Sequence, residues 1–176
     1  TATTEFYTLS LHDALPIWVG HADRRAIGHD APVKFDKGAL GRHGETSLSP
    51  NHAVFLMDRR AAILFGSFEV LVRAKDLTNS KDVFVDAHYR PVRYYHLLFA
   101  QHQILSVDGL LSESYHPGLQ TLGSYDENTR QSLLQHMPSL DPRPGFGYGP
   151  TARSVLRSRA AQRFQRSSDI DDALTA

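Results

Sequence analysis

Val92–Tyr115 reads VRYYHLLFAQHQILSVDGLLSESY, and this stretch decides the fold class. Two apolar runs rich in aromatic and branched residues meet at Ala100–Gln101–His102, and a third begins after Asp108–Gly109. Asp-Gly between apolar runs marks a tight hairpin, because the favoured two-residue loop needs positive φ at both positions. The segment therefore predicts a bent strand or hairpin around residue 101 and a turn at Asp108–Gly109.

The same texture extends upstream. WVGH (Trp18–His21), PVKF (Pro32–Phe35), AVFLM (Ala53–Met57), AAILF (Ala61–Phe65), EVLVRA (Glu69–Ala74) and DVFVDAHY (Asp82–Tyr89) are short runs separated by Gly, Pro, Asn, Asp and Ser. Each reads as a strand, and their close spacing argues for an all-β core rather than alternating βαβ units. Downstream the texture changes. HPG (His116–Gly118) breaks the chain, and Ser124 with Glu127 forms a candidate capping box ahead of the helix TRQSLLQHM (Thr129–Met137). A Pro/Gly linker follows at Asp141–Pro150. Thr151 is then placed to cap a second helix over 152–166, with Val155, Leu156, Ala160 and Phe164 as its apolar stripe. The expected organisation has four parts: a leader at 1–17, a partial β core at 18–120, a helical extension at 121–166 and a tail at 167–176.

A chain of 176 residues with 41% hydrophobic and 22% charged residues fits one packed domain. Nineteen basic and nineteen acidic residues cancel, so no global field argues for nucleic acid or a membrane surface. No run approaches the roughly 18 apolar residues of a membrane span, and the N-terminus lacks the pattern of a signal peptide. The chain holds no cysteine, which excludes disulfides, thiolate catalysis and Cys-ligated zinc from its own residues.

Ten histidines invite an acid–base or metal assignment. In Ser49-Pro-Asn-His52 a hydroxyl precedes a histidine by three residues at the start of a strand. An imidazole there exchanges protons near neutral pH, and the hydroxyl or a nearby amide steadies charge on a carbonyl oxygen. By pattern alone, a turn serine followed by a packed histidine explains the same residues. His96 and His102 share a face only if the strand between them is straight. Metal is not expected, since a histidine count does not make a site. His116 is expected to be a turn residue and His136 to meet the last carbonyls of its helix. GFGYGP lacks a preceding strand and is not a phosphate loop.

Taken together, SPNHAVFL, ILFGSFEVLVRAKDL and YYHLLFAQHQILSVDGLLSESYHPG resemble blocks of the Hint (hedgehog/intein) domain, in its bacterial branch. The resemblance covers most of the chain. It implies a compact, mainly β Hint-type fold, here incomplete, with one or two C-terminal helices. It also implies self-cleavage or splicing: a Cys or Ser heading the domain attacks the preceding carbonyl, and a T-x-x-H motif assists the acyl shift. Ser49 and His52 fall on that motif, with Ser in place of Thr, so the resemblance makes His52 the proton donor to the departing amide and Ser49 an orienting group. His102, ahead of Asp108–Gly109, falls on a later family histidine. No cofactor is implied. The partner is the chain's own flanking polypeptide, and the family's usual hosts imply an extracellular or cell-surface setting.

The sequence departs from the family at its start. No nucleophile block precedes Trp18, so the first strands and the nucleophile are expected to be missing and the chain to be inactive as it stands. Thr8–Ile17, TLSLHDALPI, resembles a translated frame of a sequencing-library adapter and is expected to be a non-native leader. The competing expectation is a non-catalytic β module of an exported protein, its histidines incidental.

Overall fold

The structure, a computed structural model, describes residues 15–117, 125–140 and 147–164. Its strands are β1 (Trp18–Arg25), β2 (Val33–Phe35), β3 (Thr46–Leu48), β4 (Ala53–Met57), β5 (Glu69–Arg73), β6 (Val83–Val85), β7 (Pro91–Leu98), β8 (Ile104–Val107), β9 (Leu110–Glu113) and β10 (Ser154–Leu156). Helix α1 spans Arg59–Phe65, α2 spans Glu127–His136, and a third helix, α3, begins at residue 158 and is described to 164. The fold is mainly β with helices toward the C-terminus, as the sequence predicts. The leader residues Thr1–Ala14, Ser124 and the tail lie outside the described residues.

Three sheets share the strands. β1 and β7 form a long antiparallel ribbon, β3-β2-β6 a three-stranded sheet, and β10-β5-β4-β9-β8 a five-stranded one. The 92–115 stretch resolves into all of β7 but its first residue, a connector at 99–103, and the β8–β9 hairpin. Asp108 and Gly109 both take positive φ, 51° and 88°, as the sequence signal requires.

Val70, Leu71 and Val72 of β5 are fully buried, which suits a strand with neighbours on both sides. Val70 and Val72 belong with Val33, Phe35, Val54, Leu110 and Phe164 to the main core. A second cluster of Trp18, Leu98, Tyr115, Leu133 and Tyr148 packs α2 against the ribbon. The Trp18 indole Nε1 donates to Ser132 Oγ at 3.1 Å, and it lies across Gly20, where an added Cβ would fall 1.8 Å from the ring.

Three local predictions change. AAILF is helical, because Asp58 caps α1 by accepting the Arg60 amide at 2.7 Å and Gly66 closes it at φ 75°. α2 is capped by Asp126, whose carboxylate accepts the Thr129 amide at 3.0 Å. Residues 152–166 do not form one helix: Ser154–Leu156 pairs in parallel with Val70–Val72 as an edge strand, and the helix starts only after it. Sheet pairing at the open edge of β5 and burial of Leu156 in the main core outweigh the local helical pattern.

Candidate functional site

Sheet register brings the chemistry to one end of the five-stranded sheet. Val54 pairs with Ser112 and Ile104 with Glu113. His52 at the start of β4, Glu113 at the end of β9 and His102 just before β8 therefore converge. The turn Ser49-Pro50-Asn51-His52 closes with the His52 amide donating to the Ser49 carbonyl at 3.0 Å. The Ala74 amide donates to the His52 carbonyl at 2.8 Å, so the backbone of His52 is held on both sides.

The site opens into a cleft of about 400 Å³. Ser49, His52, Ser112 and Glu113 line it, with Thr46–Leu48 of β3 and Leu105 and Val107 of β8 along its sides. Both β3 and β8 are edge strands within their sheets. They meet at one end of the cleft, where the Gly44 amide donates to the Asp108 carbonyl at 2.7 Å. Unpaired strand edges offer amide and carbonyl groups to an extended chain.

Ser49 and His52 line the cleft; His102 is not among its lining residues. It sits behind Glu113, its side chain fully enclosed. His102 Nδ1 accepts the Ala152 amide at 2.8 Å. Its proton therefore resides on Nε2, which donates to the Ser114 carbonyl at 3.1 Å and lies 3.3 Å from Glu113 Oε2.

Glu113, which sequence reasoning passed over, joins the two histidines. It is 3% exposed. Its Oε1 accepts the Ala53 amide at 2.8 Å, next to His52, while Oε2 has no hydrogen-bond donor. His52 Nε2 is likewise buried without a partner, as is Ser112 Oγ. Buried polar atoms left unpaired are costly, on the order of 1–3 kcal/mol each. Three such atoms, on His52, Ser112 and Glu113, lie together at this cleft.

Burial holds the His52 imidazole below its ordinary value; Glu113 opposes that shift and the His102 ring adds to it. His52 is therefore a neutral base at neutral pH. His96 lies on β7 with its ring against Tyr115 and Tyr125, at 5.2 and 5.6 Å between centroids. Burial pushes it down to about 4, with His52 the next largest influence. Burial also raises the Tyr115 hydroxyl to about 12. His116 is a buried packing residue rather than a simple turn residue: it stacks edge-on against His102 at 5.0 Å and donates through Nε2 to the Gly149 carbonyl at 3.0 Å. His136 bonds the Ser132 carbonyl in the last turn of α2 at 2.8 Å, as expected. Among the described residues no group of three or more His, Cys, Asp or Glu is placed to hold a metal ion. No helix among them is long and apolar enough to cross a membrane.

A family model described as the Hint domain matches residues 13–119, which span more than half of the chain and include every residue of the cleft. No curated protein and no solved structure matches the chain.

Proposed function

The chain belongs to the Hint domain family, and from that premise we propose that the His52 cleft carries the proton transfers of an acyl shift at a peptide bond of the chain's own flanking polypeptide. A hydroxyl or thiol on the residue after the scissile bond attacks the preceding carbonyl carbon. The new C–O or C–S bond forms, the C–N bond breaks, and the acyl group moves onto the side chain as an ester or thioester. The nucleophile's proton passes to His52 and from His52 to the departing amide nitrogen, which leaves as an amine. No cofactor enters the step.

One observation supports this most: His52 lines a cleft bordered by β3 and β8, which are edge strands among the described residues, and its Nε2 is buried with no hydrogen-bond partner among them. A neutral imidazole accepts the nucleophile's proton readily. Once protonated in a desolvated setting it is a strong acid, which suits the second transfer. Ser49, beside it, orients the scissile carbonyl. Because the chain has no cysteine, a thiol nucleophile must come from polypeptide outside it.

Three fusions test the proposal. A reporter domain is placed ahead of the chain directly, through a segment headed by cysteine, and through the same segment headed by alanine. Intact mass is followed over time, with and without hydroxylamine. The expected result is cleavage of the cysteine-headed fusion alone, accelerated by hydroxylamine. A folded cysteine-headed fusion that stays intact, or equal cleavage of the alanine-headed one, overturns the proposal and favours a non-catalytic β module.

A further inference from the structure

Residues 147–164 lie beyond the span that the Hint family model matches, yet they close on the cluster around His102. Tyr148 Oη donates to the Phe99 carbonyl at 2.9 Å. His116 Nε2 donates to the Gly149 carbonyl at 3.0 Å. The Ala152 amide donates to His102 Nδ1 at 2.8 Å. We propose that Tyr148–Ala152 is a positioning element of the His52 cleft, in which the Ala152 amide fixes the tautomer of His102 so that its remaining proton bonds the Ser114 carbonyl and lies beside Glu113 Oε2. This rests on the processing function proposed above.

The geometry leaves one arrangement. With Nδ1 accepting from an amide, the single proton of the neutral ring sits on Nε2, where it faces two oxygens, the Ser114 carbonyl and Glu113 Oε2. The other tautomer would set an N–H against the Ala152 N–H and a lone pair against both oxygens. Both contacts would be repulsive. The donor is itself well held. Tyr148 is buried, β10 pairs with β5 two residues further on, and Arg153 next to it is ion-paired with Glu69. Glu113 transmits the orientation to the cleft, because its other oxygen accepts the amide of Ala53, next to His52. His102 therefore acts through Glu113, and Ala152 acts through His102. A main-chain donor leaves no mark in a side-chain motif, so the sequence pattern of the extension does not disclose it.

The test uses the whole chain labelled with ¹⁵N. In the wild type, ring shifts are expected to show His102 as one tautomer protonated on Nε2, with a scalar coupling between the Ala152 amide nitrogen and Nδ1. Ala152→Pro removes the donor and should shift the tautomer ratio by about tenfold, the worth of one hydrogen bond. Ala152→Gly keeps the donor and should change nothing. In the cysteine-headed fusion, Ala152→Pro should slow cleavage by a similar factor while Ala152→Gly does not. Protonation of Nδ1 or absence of the coupling in the wild type overturns the proposal. So does an unchanged tautomer ratio, or unchanged cleavage, in a folded Ala152→Pro protein. If Ala152→Pro fails to fold, the wild-type coupling and ring shifts decide. If the wild-type fusion does not cleave, the processing function falls, and the positioning claim is still judged by the ring shifts.

Discussion

Glu113 Oε1 accepts the amide of Ala53 at 2.8 Å, across 60 positions of sequence, and this bond sets the carboxylate between His52 and His102. It reinforces the pairing of β4 with β9, where Val54 faces Ser112, at the place where the three polar side chains meet.

Removing that carboxylate therefore has a definite cost. Glu113→Ala leaves the buried Ala53 amide without an acceptor and should destabilise the fold by about 2 kcal/mol. Glu113→Gln retains an acceptor for Ala53 but brings an NH₂ group against the N–H of His102, and should cost about 1 kcal/mol. Trp18 is the only tryptophan, so urea unfolding followed by its fluorescence measures both. Equal stability of all three proteins would show that the bond contributes nothing.

Acid should weaken the fold over a defined window. His96 stands at about 4 in the folded chain against 6.5 for an unburied histidine, with Tyr115, Tyr125, His52 and Arg24 around it. A lowered folded value means that the unfolded chain takes up the proton first. The stability is thus fully present above pH 6.5 and is lost as pH falls toward 4. Integrated over that interval it amounts to about 3 kcal/mol. His52 is shifted the same way by burial and adds to the slope. His96→Phe should flatten the pH dependence of the urea midpoint between pH 6.5 and 4; an unchanged slope would remove His96 from the account.

Gly20 is required by a neighbour rather than by its own backbone. A Cβ there would lie 1.8 Å from Cη2 of Trp18, so Gly20→Ala should push the indole off the ribbon and away from Ser132. The expected cost is roughly 1–3 kcal/mol, with a red shift of the Trp18 emission. An unshifted spectrum at wild-type stability would contradict the packing described for that cluster.

The parts of the fold that were legible in the sequence are those with a strong local cause. Asp108–Gly109 announces its turn because few other pairs accept two positive φ values in succession. The strands that alternate or carry β-branched residues announce themselves through burial. Ala61–Phe65 misled because a short apolar run suits strand and helix equally, and its ends decide: Asp58 and Gly66 lie just outside the run. Ser154–Leu156 misled because what makes it a strand is the open edge of β5, far away in sequence. At the site, Ser49 and His52 were visible through a spaced motif. Glu113 and the Ala152 amide were not, since their roles arise only when β4, β9 and the C-terminal segment come together.

The most direct test of the central claim is the rate of cleavage in the cysteine-headed fusion when His52 alone is changed. General acid–base participation by a positioned histidine predicts that His52→Ala lowers the rate by roughly 10²–10⁴-fold. In the wild type the rate should rise with pH to a plateau, because His52 must first be neutral. An His52→Ala fusion that is folded and cleaves at the wild-type rate would contradict the account.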